Sequence, residues 1–227
     1  MRDALACCNP FNTGQLRITG GTAKNRKLIS PRAGWKEDVR PTGDRVREAV
    51  FSILGDRVRG ALVLDLYAGS GSLGLEALSR GAEKVVFADR SVLCLELIRR
   101  NVQQCFPQAG IELVRLDLRR PGSFATLRRS EAAARQFGLI FLDPPYEKKL
   151  AEKTLTMVDK AGLPAADGLV IVEERWSAVM PVESGGLSLH DHRRYGETGI
   201  WIYRATLLKE KPAPVPTTPY LHHPENT

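Results

Sequence analysis

The segment Leu139-Ile140-Phe141-Leu142-Asp143-Pro144-Pro145-Tyr146 joins an apolar run to an acidic, proline-rich turn. A short apolar run bounded by turn residues is typical of a strand buried inside a parallel sheet. In open α/β sheets, ligands bind beyond the carboxyl ends of such strands. The segment therefore predicts that the four residues from Asp143 to Tyr146 line a binding site.

The chemistry of this turn indicates what it binds. Two consecutive prolines remove two backbone donors and keep the chain extended, so the Asp143 carboxylate, bare carbonyl oxygens and the Tyr146 ring remain. The exocyclic amine of a nucleobase offers matching N–H donors on a flat ring. We predict Asp143, Pro144, Pro145 and Tyr146 as the catalytic residues. The alternative is an ordinary proline-rich turn after a core strand.

Strand-like and helical patterns alternate around this segment. The predicted strands cover residues 61–67, 84–89, 111–116, 139–142 and 168–173, and the predicted helices cover 73–80, 92–104, 123–136 and 149–160. Strands joined by helical crossovers predict an α/β fold with a doubly wound, mostly parallel sheet. Two later runs, at 187–193 and 200–206, predict a terminal antiparallel hairpin. A small hairpin at 16–29 and a helix from Asp44 to Gly55 precede this core.

A second motif lies at the first strand of the alternating series. Asp65-Leu66-Tyr67-Ala68-Gly69-Ser70-Gly71-Ser72-Leu73-Gly74 contains G-x-G-x-x-G, and Asp89 follows Gly69 by twenty residues. Alone, this pattern fits a dinucleotide site equally well. Asp65, however, would repel a pyrophosphate and attract an ammonium group. An acid for an ammonium, glycines for close backbone approach and an acid for ribose hydroxyls together indicate S-adenosylmethionine.

Asp117 closes the third predicted strand, and two readings of it stay open: an acceptor for the adenine amine of the cofactor, or a surface charge. The complete set that we predict to bind the cofactor comprises Asp65, Ala68, Gly69, Ser70, Gly71, Asp89, Arg90 and Asp117.

Basic charge is concentrated near the N-terminus. The chain carries a net charge of +7, and residues 14–47 contain nine basic and three acidic residues. Such a segment favours a polyanionic partner. We predict that RNA phosphates contact Arg26, Lys27, Arg40, Arg45 and Arg47, with Arg45, Arg47 and Glu48 on the outer face of the helix. The alternative is a solvated helix face with local ion pairs.

With these motifs the chain resembles class I S-adenosylmethionine-dependent methyltransferases, and among them the bacterial enzymes that methylate guanine N2 in 16S ribosomal RNA. The resemblance spans residues 16–204 and rests on the segments 18–21, 26–28, 40–48, 65–81, 143–146 and 195–196. It implies a Rossmann-like fold, cofactor contacts from Ala68, Gly69, Gly71, Asp89 and Asp117, a target guanine held by residues 143–146, and RNA gripped by the basic segment. Gly43 departs from the family pattern, which usually has threonine there, and Ser91 stands where an Asp or Asn is frequent.

The resemblance divides the chain of 227 residues into four parts. We expect a disordered N-terminus at 1–13, a basic RNA-binding extension at 14–55, a methyltransferase core at 56–208 and a disordered Pro-rich tail at 209–227. The expected partner is 16S rRNA or a small ribosomal subunit particle.

Other classes of protein fit less well. The four cysteines lack metal-ligand spacing and no apolar run approaches the roughly 18 residues that span a bilayer, so we expect a cytoplasmic protein that needs no metal. A DNA methyltransferase acting on adenine N6 or cytosine N4 uses a similar proline turn, but only about 45 residues precede the core, too few for a separate DNA-reading module. A non-catalytic RNA-binding protein and a nicotinamide-dependent oxidoreductase are the remaining alternatives.

Overall fold

The computed structural model describes residues 11–31, 43–120, 122–127, 134–146 and 150–206. Its strands are β1 Phe11–Arg17, β2 Lys27–Pro31, β3 Leu62–Leu66, β4 Lys84–Asp89, β5 Gly110–Arg115, β6 Phe137–Leu142, β7 Pro164–Arg175, β8 Glu183–Ser184, β9 Leu187–Tyr195 and β10 Thr198–Ala205. Its helices are α1 Asp44–Leu54, α2 Ser72–Ser79, α3 Val92–Cys105, α4 Phe124–Leu127 and α5 Leu150–Lys160, with a 3-10 turn at Gly55–Val58.

Eight strands form one sheet in the order β5-β4-β3-β6-β7-β10-β9-β8. Strands β3 to β7 pair in parallel, whereas β10 pairs antiparallel with both β7 and β9. The predicted parallel sheet with a terminal antiparallel hairpin is therefore confirmed. Because the chain moves outward from β3 through β4 to β5 and then returns to β6, the strand order reverses between β3 and β6. This reversal is where doubly wound sheets bind ligands.

Apolar side chains cover both faces of the sheet. On one face, Ile18 of the N-terminal hairpin, Phe51 of α1 and Ile98 of α3 pack in a single buried cluster. On the other face, Phe124 of α4 and Leu155 of α5 pack in a second cluster. The N-terminal extension is thus part of the layer formed by α1 to α3 and is not a detached arm.

Two boundaries differ from those predicted. Strand β1 begins at Phe11, so residues 11–13 do not belong to a disordered terminus; Phe11 pairs with Pro31 and Thr13 with Ile29. Backbone pairing decides this boundary, because Phe11 and Thr13 favour strands individually but three residues are too few to show a periodic pattern. Strand β7 begins at Pro164 rather than at residue 168, since it pairs with Phe137 before a shift in register. Several predicted features lie outside the described residues. They are residues 1–10 and 207–227, Arg40, and the segment 128–133 of the helix predicted at 123–136.

Arg47 does not lie on the outer face of α1, where it was predicted. Its side chain is 0% exposed. Its Nε donates to Glu76 Oε2 at 3.4 Å, and its Nη2 donates to Asp44 Oδ1 at 2.9 Å and to the Arg17 carbonyl. A buried guanidinium with these partners is a structural group. The prediction that Arg47 contacts phosphate is wrong.

Glu76 of α2, also fully buried, collects contacts from three elements. Besides Arg47, it accepts from the Thr19 backbone N–H at 2.8 Å, from Thr19 Oγ1 at 2.8 Å and from Arg80 Nε at 2.8 Å. Next to it, Gly21 has a φ of 77°, and a Cβ there would lie 1.9 Å from the Ser79 carbonyl oxygen. The Gly20-Gly21 turn therefore fits closely against the last turn of α2.

Replacing Glu76 by glutamine should lower the free energy of unfolding by about 3 kcal/mol, because it removes a fully buried carboxylate that offsets the charge of the buried Arg47 guanidinium. The matched control is Glu96→Gln on α3, where Glu96 pairs with Arg99 and Arg100 at the surface. That change should cost at most about 1 kcal/mol. Urea unfolding of both variants gives the measurement, and equal losses would contradict a special role for Glu76.

Candidate active site

A cavity of about 580 Å³ opens at the carboxyl ends of the parallel strands. This volume lies within the roughly 300–1,000 Å³ usual for small-molecule sites. The strands contribute to its wall an acid each, namely Asp65 in β3, Asp89 at the end of β4, Asp117 after β5, Asp143 after β6 and Glu173 in β7. The cavity therefore occupies the edge of the sheet at which the strand order reverses.

Both predicted sets of residues meet in this one cavity. The four predicted catalytic residues, Asp143, Pro144, Pro145 and Tyr146, all line it. Seven of the eight predicted cofactor residues also line it: Asp65, Ala68, Gly69, Ser70, Asp89, Arg90 and Asp117. Gly71 does not, and its role is conformational: its φ is 76°, and a Cβ there would lie 2.8 Å from Ile98 Cγ1.

The loop after β3 turns sharply into α2. Tyr67, Gly69 and Gly71 all have positive φ values, of 61°, 51° and 76°. The Gly69 N–H donates to Asp89 Oδ2 at 2.9 Å, and the Ala68 N–H donates to the Ala88 carbonyl at 3.1 Å. The loop is thereby held against the end of β4, and its backbone can approach a ligand closely.

Asp65 is the most deeply buried acid of the wall, at 2% exposure. Burial, reinforced by the nearby charge of Asp89, raises the pKa of Asp65 to about 8, although the Gly74 N–H that it accepts at 3.0 Å acts in the opposite sense. The side chain is therefore mainly protonated at neutral pH. A cation beside it would favour its ionised form and so be held.

The other two acids on the cofactor side are tied to backbone groups. Asp89 accepts from Gly69 N and, through its second oxygen, from Ser91 N at 2.8 Å. It thus joins the glycine loop to the start of α3, where Ser91 caps the helix as predicted. Asp117 accepts from the Arg119 N–H at 3.2 Å and pairs with Arg120 at 3.3 Å.

Tyr146, also on the cavity wall, lies among charged groups. Its hydroxyl donates to Glu173 Oε1 at 3.4 Å, and the Arg175 guanidinium lies over its ring, 5.5 Å from the centroid. Burial raises the pKa of Tyr146, a bond to Thr198 opposes this, and the charges of Glu173 and Asp143 raise it further. The hydroxyl therefore stays a donor at neutral pH.

Several lining residues are absent from the predicted set, notably Tyr67, Glu173, Arg175 and Thr198. Glu173 had a readable signal, because it follows the apolar run from Leu169 to Val172 as Asp143 follows its own run. Tyr67 had none: its hydroxyl contacts Thr154 Oγ1 of α5 at 2.6 Å, and burial raises its pKa to about 12.

The predicted RNA-binding residues that the structure describes do not line the cavity. Arg26, Lys27 and Arg45 are exposed, and Arg26 donates to the Gln104 carbonyl at 3.0 Å. Arg45 lies in the first turn of α1, whose N-cap, Gly43, belongs to the cavity wall. Of the basic extension, then, the start of α1 comes nearest to the site.

Within the ranges that the structure covers, no helix has the length and apolar character that a bilayer crossing requires. Over the same residues, no three His, Cys, Asp or Glu side chains are grouped as a metal ion would need.

Known proteins are similar to this chain in sequence and fold. A family model described as "Conserved hypothetical protein 95" matches residues 16–204. "Putative rRNA methyltransferase YlbH" from Bacillus subtilis is 34% identical over 83% of this chain and 98% of its own length. "Ribosomal RNA small subunit methyltransferase D" from Escherichia coli K12 is 29% identical over 90% and 98%. A solved structure, "Putative methyltransferase yhhF from Escherichia coli", superposes with a TM-score of 0.68 at 29% identity, covering 85% of this chain and 99% of the other.

The raised pKa of Asp65 predicts a pH-dependent effect of Asp65→Asn, which keeps the shape and the acceptor for Gly74 N. An acid whose pKa is higher in the folded state stabilises the fold at low pH and loses this contribution as the pH rises through the folded value. Wild-type protein should therefore lose stability relative to the variant between about pH 4 and about pH 8. Urea unfolding across this range measures the difference, and parallel curves would contradict the prediction.

Proposed function

Since the chain belongs to the family described as conserved hypothetical protein 95, we propose that it methylates the exocyclic N2 of a specific guanine in the 16S rRNA of the small ribosomal subunit, using S-adenosylmethionine. One observation carries the proposal. The glycine loop after β3 and the turn from Asp143 to Tyr146 after β6 line the same cavity, so a cofactor on one side can face a base on the other.

The family match supports the coarser part of this proposal. It covers residues 16–204, the region over which the sequence resembles class I methyltransferases, and that resemblance is confirmed. Relatives that align over most of their length are named as rRNA methyltransferases. The chain is accordingly assigned to methylation of ribosomal RNA; guanine N2, 16S rRNA and action in the cytoplasm are the finer steps that we propose.

The cofactor side of the cavity fits S-adenosylmethionine residue by residue. Asp65 would receive the ammonium group, Asp89 the ribose hydroxyls and Asp117 the adenine amine, while the Gly69 backbone allows close approach. When bound, this cofactor supplies an electrophilic methyl group on a sulfonium sulfur. Because Asp65 is largely protonated in the free protein, an ammonium beside it should expel the proton and form an ion pair in the buried wall.

The residues after β6 hold the target amine. The lone pair of guanine N2 is delocalised into the ring, so the protein must mainly orient this nitrogen, and orientation can supply up to about 7–11 kcal/mol. Asp143 accepts one N–H and the Pro144 carbonyl the other, which favours the positive charge that develops on the nitrogen. Tyr146 stacks on the flipped base, opposite Arg175, at about 1–3 kcal/mol.

The basic extension supplies the RNA contacts that remain after the correction of Arg47. Arg26, Lys27 and Arg45 are exposed and offer charge-assisted bonds to phosphate oxygens. Arg40 lies outside the described residues and stays a prediction. Since α1 begins at the rim of the cavity, RNA held by Arg45 would lie beside the entrance for the base. Whether naked rRNA or a subunit particle is the substrate, this contact precedes base flipping.

Asp143→Ala should reduce methyl transfer by about 100- to 1,000-fold, because the target amine loses its charged acceptor. Binding of S-adenosylmethionine, measured by calorimetry, should change by less than about threefold, since Asp143 is not among the residues proposed to contact the cofactor. Transfer is measured with radiolabelled methyl donor and small subunits that lack the modification, and the labelled nucleotide is then located.

The exposed Asp56→Asn, in the 3-10 turn, serves as the control for this experiment and should retain full activity. Full turnover by Asp143→Ala would remove the assignment. Label on an adenine or a cytosine, or on DNA instead of the subunit, would favour the amino-methyltransferase alternative. Absence of transfer to every nucleic acid would favour the non-catalytic one.

Arg45→Ala should weaken binding to small-subunit rRNA and lower the slope of log K against log salt by about one, as expected for one lost phosphate contact. The control is Arg99→Ala on α3, an exposed arginine paired with Glu96, which should leave affinity and slope unchanged. Binding titrations at several salt concentrations give both quantities. An unchanged slope for Arg45→Ala would show that Arg45 belongs to a solvated helix face.

A further inference from the structure

We propose that Glu173 selects guanine by accepting the N1–H of the target base while Asp143 accepts the neighbouring N2–H. This inference rests on the proposed function, because it concerns how the same site recognises its base. It assigns a role in specificity to a residue outside the proline turn.

The register of the sheet puts the two carboxylates side by side. Strands β6 and β7 are parallel, and Leu142 pairs with Val172. Asp143 and Glu173 are the next residues along each strand, and adjacent strands lie about 4.8 Å apart. Both residues line the cavity. Two acceptors at this spacing match two adjacent N–H donors on one edge of a base.

The Glu173 side chain is also oriented by a neighbouring residue of the cavity. Its side chain is only 7% exposed, and the Tyr146 hydroxyl donates to its Oε1 at 3.4 Å. A carboxylate accepts about four hydrogen bonds, so this contact orients Glu173 without exhausting its acceptor capacity. A base that supplies an N–H would add a further donor to this carboxylate.

The bases differ at the edge concerned. Guanine presents the N1–H donor beside the N2 amine. Adenine and cytosine present a ring nitrogen that is an acceptor beside their amines. With either of these bases, Glu173 would face a lone pair, and two acceptors would be buried without a proton between them. Sites built to bond a substrate N–H reject analogues without it by up to about 10,000-fold or more.

The test compares guanine with 2-aminopurine, which keeps the C2 amine but has an acceptor at N1. Small subunits are reconstituted from 16S rRNA that carries either base at the position located by methyl labelling. We expect kcat/KM of the wild type to fall at least about 100-fold on 2-aminopurine. In Glu173→Gln the amide can accept from N1–H or donate to N1, so the ratio between the two substrates should fall below about 10.

Glu174→Gln is the matched control. Glu174 is the next residue, equally buried at 7% exposure, but it accepts from the Arg175 N–H and does not line the cavity. This variant should keep the wild-type ratio. Comparing this ratio between variants also cancels the effect of the O6 atom that 2-aminopurine lacks, because this atom is missing for every variant.

The possible outcomes separate the proposed function from the role of Glu173. Failure of the wild type on the guanine particle would overturn the proposed function itself. Equal wild-type activity on both particles, or a wild-type ratio retained by Glu173→Gln, would overturn the role of Glu173 alone. A folded Glu173→Gln variant that binds S-adenosylmethionine normally but is inactive on both particles would assign Glu173 to methyl transfer instead of selection, and this also overturns the inference.

Discussion

The buried carboxylate of Glu76 is the interaction on which the arrangement of the molecule depends. It accepts from Thr19 in the segment that follows β1, from Arg47 in α1 and from Arg80 at the end of α2. A buried carboxylate without such partners destabilises the folded state. Displacing any of these elements would remove a partner of Glu76 and lower the stability of the fold. Because α2 starts at the glycine loop and α1 starts at the cavity rim, Glu76 fixes the basic extension relative to the proposed site.

The sheet explains why one cavity collects so many acids. Parallel strands end at one edge, and β3 and β6 are neighbours although β4 and β5 lie between them in sequence. Burial raises the pKa of Asp65, and repulsion by the nearby charge of Asp89 raises it further. Protonation of Asp65 relieves this repulsion in the free protein. A cationic ligand would relieve it equally, which is why an acidic wall suits a sulfonium cofactor with an ammonium group.

The sequence predicted the core well because its periodicities are strong; β4 matches its predicted bounds, Lys84–Asp89, at both ends. It failed on α1, where Arg47 was predicted to lie on the outer face. The buried stripe is Arg47, Val50, Phe51 and Leu54, rotated because Phe51 packs against Phe141. Spacing alone is compatible with a buried Arg47, but the groups that offset its burial include Glu76, and a contact between residues 29 positions apart has no local signal. Glu173 was missed although it follows an apolar run as Asp143 does.

Arg45 and Arg47 lie on different faces of α1, and this bears on how the proposed enzyme would select one guanine among many in the RNA. Arg45 and Arg47 are two residues apart, about 200° around the helix axis, so one faces solvent while the other binds Glu76. On the proposed function, two carboxylates that read one edge of a base would distinguish guanine from adenine, yet they would accept any guanine in rRNA equally. Selection among guanines would then come from where the extension holds the RNA. The accuracy of that selection would depend on how rigidly α1 is held against the core. The buried pair of Arg47 and Glu76 holds it there.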